Sequence, residues 1–205
     1  MFDARIRPFI DPALNRLGRM LASLGVGANA VTLVGMGLGL AAGIAIAQGQ
    51  FLAGLGLILA NRLLDGLDGA VARATRLTDF GGYLDIVADF VFYVSVPVGF
   101  AFADTRNDLS AVLLLASFAL TGTSFLAFAT MAAKRGLETS AHGQKSFFYN
   151  TGLAEGAETI VIFLTFCLFP DQFPVIAMIY TSICFLTVVQ RTFIANTIFS
   201  DISDL

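Results

Sequence analysis

The sequence predicts an all-α membrane protein, with six transmembrane helices following an N-terminal amphipathic helix that lies in the membrane interface. Three observations lead there. Charged residues make up 13% of the chain, about half the ~25% usual for a soluble domain. No charged residue occurs from Met20 through Asn61. The Lys and Arg residues, 12 in all, gather on one side when the apolar segments are threaded up and down. A hydrophobic content of 57% with 20 Phe and a mean hydropathy of +0.80 make lipid the expected solvent. The net charge of −3 decides little, because topology follows the placement of charge rather than its sum.

A single helix across the long uncharged stretch would reach roughly 60 Å, twice the ~30 Å hydrocarbon core. It must fold back, and Gln48-Gly49-Gln50 supplies the turn. The spans then fall at 31–47, 51–71, 81–103, 109–133, 152–169 and 173–190, the last continuing toward residue 198. With the N-terminus inside, the inner side receives Arg5, Arg7, Arg16, Arg19, Arg73, Arg76, Lys134, Arg135 and Lys145. Arg62 and Arg191 fall near the inner ends of their spans, and Arg106 alone lies outside. This bias predicts that both termini are cytoplasmic, and the cell (inner) membrane is the expected location.

Residues 1–26 form a separate element. Ile6, Phe9, Ile10, Leu14, Leu17, Met20 and Leu21 recur at helical spacing, as an interfacial helix requires, although Pro8 and Pro12 weaken its early turns. Asp3, Arg5, Arg7 and Asp11 interrupt the apolar core that a cleavable signal would need. The chain therefore reads as one domain over 1–205, with 27–200 as the transmembrane core. Cys167 and Cys184 read as small core or lipid-facing residues. Nothing suggests a nucleic-acid partner.

Ionisable groups at span ends are costly and mark function. Four aspartates gather at the inner ends of spans two and three. Asp65 and Asp68 (i, i+3) share one helical face, and Asp85 and Asp89 (i, i+4) share a face of the next helix. The short linker makes those helices antiparallel neighbours, so the faces converge. Four adjacent carboxylates cannot all ionise unaided. Oxygen-only ligands suit Mg²⁺ or Mn²⁺, and a pair of such ions would bridge a diphosphate. Gly69 and Ala72, on the face of Asp65, leave room for a substrate. Gly35, Gly39, Gly54 and Gly56 read as helix-packing residues.

The run Asp65-x-x-Asp68-Gly69-x-x-Ala72-Arg73, followed by Gly81-x-x-x-Asp85-x-x-x-Asp89, resembles the signature of the CDP-alcohol phosphatidyltransferases. One departure stands: Arg73 and Gly81 enclose seven residues, one fewer than the family's usual spacing, which reads as a shortened cytoplasmic turn. The resemblance implies that Asp65, Asp68, Asp85 and Asp89 hold metal, with Asp89 also the base that deprotonates the acceptor hydroxyl. It implies that Asp65, Asp68, Gly69, Ala72 and Arg73 line the nucleotide pocket. Asn29 and Thr32 resemble an Asn-x-x-Thr at the start of the family's first span, or else cap that helix. A homodimer is implied as well.

The remaining cations are Lys134, Arg135, Lys145 and Arg191. Each reads as a ligand for an acceptor phosphate or for lipid headgroups; for Lys134 and Arg135 the alternative is a topology-setting charge. A buried Arg191 needs a partner, either a phosphate or Glu155 or Glu158. Residues 143–149 form an amphipathic loop that suits an acceptor pocket, and His142 reads as solvated.

The expected reaction moves a phosphatidyl group from a CDP-linked lipid donor, CDP-diacylglycerol, to a small polar acceptor such as glycerol 3-phosphate or inositol phosphate, releasing CMP. The reverse arrangement, a CDP-aminoalcohol with diacylglycerol, is the alternative within the family. A carboxylate-lined cation or proton transporter is the competing class, and it is disfavoured because the acids sit at helix ends rather than near the midplane. An inactive scaffold is disfavoured by the intact signature.

Overall fold

A computed structural model describes residues 3–136 and 152–200, with residues 3–9 as backbone alone. These residues form helices joined by tight connections, with no strand among them. In chain order the helices are α1 (Asp3–Ser23), α2 (Ala28–Ala47), α3 (Phe51–Ala74), α4 (Asp79–Ala103), α5 (Asp108–Lys134), α6 (Gly156–Leu168) and α7 (Phe173–Ser200). Short 3₁₀ turns, Thr105–Asn107 and Pro170–Gln172, lead into α5 and α7.

The helix ends follow from local chemistry. Gly25 and Gly49 have φ of +79° and +74°, a left-handed conformation that Cβ disfavours. At each, the next two N–H groups reach back to the last turn: Gly25 to Ala22 and Val26 to Leu21, Gly49 to Ile46 and Gln50 to Ala45. This is the glycine-terminated cap that satisfies orphan carbonyls, and the second instance is the turn expected at 48–50. The helix α1 runs unbroken through positions 8 and 12, so the two prolines do not end it. A proline's fixed φ is itself helical, and its penalty is local.

Segments Ala28–Ala47, Asp79–Ala103, Thr105–Lys134 and Pro170–Ser200 are long and apolar enough to cross a membrane. Among the described residues that makes four such segments, not the six of the sequence reading. Helix α3 is long enough, but Arg62, Asp65, Asp68 and Arg73 charge its second half. Helix α6 is apolar but has only 13 residues, about 20 Å.

Helix α2 packs most extensively on α3 and α4, α7 packs on α5, and α6 on α3. Small residues permit the α2–α4 crossing. A Cβ on Gly43 would lie 2.5 Å from the Ser95 carbonyl oxygen, and one on Gly99 would lie 2.5 Å from that of Gly43. Ser95 Oγ donates to the Gly39 carbonyl at 2.9 Å across the same contact. Gly35, Gly39 and Gly54 also face neighbouring helices, whereas Gly56 has nothing within 4 Å and is not a packing residue. Phe100 stacks on Phe173 with centroids 4.4 Å apart, and Phe92, one turn beyond Asp89, meets Phe163 edge-on.

Helix α1 lies against α3. Leu14 covers Gly66, and Gly18 sits so close to Ala70 that its own Cβ would be 2.7 Å from that of Ala70. Leu14 and Leu21 pack with Val31, Leu67 and Val71, while Ile10, Leu17 and Met20 stay exposed.

The Gly43→Ala variant should lose about 1–3 kcal/mol through overpacking against backbone, read as a lower Tm in detergent. Gly56→Ala should leave Tm unchanged or slightly raised.

Candidate active site

Three helices meet where α3 ends and α4 begins. Helix α3 contributes Asn61, Arg62, Asp65, Asp68, Gly69, Ala72 and Arg73, helix α4 contributes Asp85 and Asp89, and the first turns of α2 contribute Asn29 and Thr32. The connection of residues 75–78 is closed by Thr78, whose Oγ1 accepts the Gly81 N–H at 3.0 Å. The shortened turn thus ends in an ordinary N-cap.

The start of α2 is tied to the acids directly. Its N-cap is Gly27, without a side-chain capping bond, so neither Asn29 nor Thr32 serves as the cap. Instead Thr32 Oγ1 donates to Asp68 Oδ2 at 2.7 Å, with the Ala28 carbonyl at 3.1 Å. Both Thr32 and Asp68 are buried. Asn29 Oδ1 faces the start of α4, 3.3 Å from where a Gly81 side chain would begin.

Every pair among Asp65, Asp68, Asp85 and Asp89 interacts electrostatically. Among the described residues, the cation that touches them is Arg62. Its NH1 lies 2.9 Å from Asp89 Oδ1 and 3.6 Å from Asp65 Oδ2, its Nε donates to Asn61 Oδ1 at 2.7 Å, and it lies 4.1 Å from the Phe92 ring centroid. Sequence reasoning assigned Arg62 only to topology. The signal was there: it stands one helical turn before Asp65, inside an apolar run, where a cation requires a partner. Two further residues went unnoticed. Asn15 of α1 accepts from Arg73 NH2 at 3.1 Å, and the Tyr93 hydroxyl lies 3.4 Å from where a Gly156 side chain would begin, at the first residue of α6.

The other sequence candidates are placed unevenly. Arg73 is exposed and folds back over Gly69, its NH1 being 3.2 Å from a Cβ there. Ala72 lies half-buried on the same turn. Lys134 ends α5 in an exposed position, and Arg135 sits 5.2 Å from the Phe199 ring centroid rather than among the aspartates. Arg191 donates to the Thr121 carbonyl at 3.0 Å, lies 5.6 Å from the Phe125 ring centroid, and is within electrostatic reach of Glu155. Lys145, His142 and the 143–149 loop lie outside the described residues.

The acids fit a hard divalent cation by their chemistry: four carboxylates, all oxygen donors, mutually repelling and, among the described residues, offset by one guanidinium. Among the described residues, no three potential ligands stand at metal-binding distance of one another, and Arg62 lies between Asp65 and Asp89. Asp65, Asp68, Asp85 and Asp89 are the residues that would hold such ions.

A family model for the CDP-alcohol phosphatidyltransferases matches residues 26–190, and the chain belongs to that family of enzymes. The Escherichia coli (strain K12) protein named Inner membrane protein YnjF is 46% identical over 192 residues, 93% of each chain. Archaetidylinositol phosphate synthase of Methanothermobacter thermautotrophicus is 29% identical over 93% of this chain and 90% of its own. That of Pyrococcus horikoshii is 37% identical over 56% of this chain and 62% of its own. The fold is shared with Mycobacterium tuberculosis phosphatidylinositol phosphate synthase. Its CDP-DAG-bound crystal structure matches with a TM-score of 0.72 at 22% identity, over 90% of this chain and 94% of that one. Its complex with manganese and citrate gives 0.69 at 23% identity, over 89% and 88%.

Thr32→Val keeps the side-chain shape but strands a buried carboxylate oxygen. It should cost about 1–3 kcal/mol, measurable as a lower Tm in detergent with EDTA present.

Proposed function

We propose that this enzyme transfers a phosphatidyl group from CDP-diacylglycerol to the hydroxyl of a phosphorylated polyol and releases CMP. Inositol phosphate is the favoured acceptor and glycerol 3-phosphate the next. The convergence of the four aspartates of α3 and α4 at one end of the bundle carries the reading. The family assignment supports it, as do the printed names of the archaeal relatives and the CDP-DAG complex of the structural neighbour.

In the proposed reaction the acceptor oxygen attacks the lipid-bearing β-phosphorus of the donor. The bond from that phosphorus to the bridging oxygen breaks, and CMP leaves with the electron pair. Asp89 receives the hydroxyl proton. Gly69, Ala72 and Arg73 would flank the nucleotide, with Asn29 and Thr32 holding the start of α2 against it. Two Mg²⁺ or Mn²⁺ ions held by the aspartates would offset charge on the diphosphate and the departing phosphate. Arg191, Lys134, Arg135 and Lys145 are the candidates for the acceptor's phosphate; Arg191 is held firmly enough to orient one.

The same reading makes α2 to α7 six membrane passes of one domain in a homodimer, set in the inner membrane with both termini and the site on the cytoplasmic side. Alternating helix directions bring the aspartates, Arg73, Lys134 and Arg135 to one end, in keeping with the positive-inside rule. Helix α3 spans about 36 Å, and its charges begin at its midpoint with Arg62 and run to its inner end. The exposed Ile10, Leu17 and Met20 of α1 suit an interfacial helix.

The test is CMP release by purified protein in detergent from CDP-diacylglycerol, with Mn²⁺ or Mg²⁺ and a panel of acceptors. Release should rise with inositol phosphate, disappear in EDTA, and fall ~100-fold or more in Asp89→Asn. Near-normal turnover by that variant would remove Asp89 as base. Efficient turnover of CDP-choline with diacylglycerol would overturn the donor assignment.

A further inference from the structure

Arg62 takes no part in the reaction just described, yet it is held on every side. Its side chain is only 12% exposed. NH1 serves Asp89 at 2.9 Å and Asp65 at 3.6 Å. Nε is spent on Asn61 Oδ1, and the guanidinium carbon lies over the Phe92 ring. Asn61 is itself fixed, since its Nδ2 donates to the Gly35 carbonyl at 2.8 Å and the residue is buried. A continuous chain of contacts therefore runs from the backbone of α2, through Asn61 and Arg62 of α3, to Asp89 and Phe92 of α4. A charge that only sets topology would reach toward water on its flexible stem; this one is turned inward among the acids.

We propose that Arg62 is an internal counter-cation: a positioning residue that holds Asp65 and Asp89 together when divalent ions are off, and that competes with those ions for the two carboxylates. The proposal rests on the reading that the aspartates bind divalent cations. One guanidinium offsets part of the repulsion among four carboxylates, so the cluster can persist between turnovers. The same positive charge, a few ångströms from a dication sharing those oxygens, repels it and weakens its binding. Arg62 thus trades ion affinity for a site that stays assembled.

The experiment is thermal unfolding of the full chain in detergent, titrated with Mn²⁺ against an EDTA baseline, for the native protein and Arg62→Gln. Binding to the folded state raises Tm, so the titration reports affinity without turnover. Arg62→Gln should unfold at lower temperature in EDTA, yet reach half-saturation at ~10-fold lower Mn²⁺ and gain more from the ion than the native protein does. A fall in Tm that is the same with and without Mn²⁺, at an unchanged midpoint, would make Arg62 a structural residue only and overturn the proposal. A raised midpoint would overturn it too, by making Arg62 a builder of the ion site rather than a competitor. If Arg62→Gln does not fold, Arg62→Met answers the question. It keeps an apolar stem against Phe92 but carries no charge, so its midpoint should likewise fall ~10-fold, and an unchanged midpoint overturns the proposal. A native protein that shows no Mn²⁺ response at any concentration would instead sink the metal reading itself, and this inference with it.

Discussion

Four carboxylates drawn to one end of a helical bundle repel one another, and the surrounding residues can be understood by how they offset that repulsion. Thr32 hydrogen-bonds Asp68 from α2. Arg62 bridges Asp65 and Asp89 between α3 and α4, and Asn61 anchors Arg62 to the α2 backbone. These bonds involve all three helices. The α2–α3–α4 core and the site are therefore one construction, in which polar contacts specify the arrangement and small residues permit it.

Close helix approach is the second condition. Thr32 can reach Asp68 only because α2 lies near α3 and α4, and Gly43 and Gly99 allow the α2–α4 crossing by letting backbone meet backbone. In lipid no hydrophobic difference drives helices together, so van der Waals contact through small residues and interhelical hydrogen bonds have to do it. The Ser95 hydroxyl on the Gly39 carbonyl is such a bond, and the Phe92, Phe100, Phe163, Phe166 and Phe173 cluster fills the bundle, with Phe92 at its charged edge beneath Arg62. Helix α1, seated on Gly66 and Ala70, covers the outer side of the helix that carries two of the acids, and its Asn15 holds Arg73. The N-terminal segment is therefore part of the site's support.

Among the CDP-alcohol phosphatidyltransferases, the chain retains every signature position with a shorter turn between its two halves. The shortening falls in the connection that Thr78 closes by capping α4, and a loop outside the helices can lose a residue without changing the register of either. The relation between Arg62 and the aspartates lies inside the helices, where a one-residue shift would rotate a side chain by about 100°. Turn length is tolerant there and helix register is not.

Periodicity and charge placement in the sequence alone predicted the helices to within a few residues, the turn at Gln48-Gly49-Gln50, and the faces shared by Asp65 with Asp68 and by Asp85 with Asp89. These are local properties, set by 3.6-residue geometry and by the cost of charge in an apolar run. Which side chains from different helices touch is not local. Whether Thr32 capped its own helix or served Asp68, whether Gly56 packed or faced outward, and whether Arg62 set topology or bridged two acids depended on how the helices rotate and cross. Small-residue contacts fix that rotation, and they bring together residues 26 to 36 positions apart. A linear pattern carries no record of such distances, so only the tertiary structure could decide them.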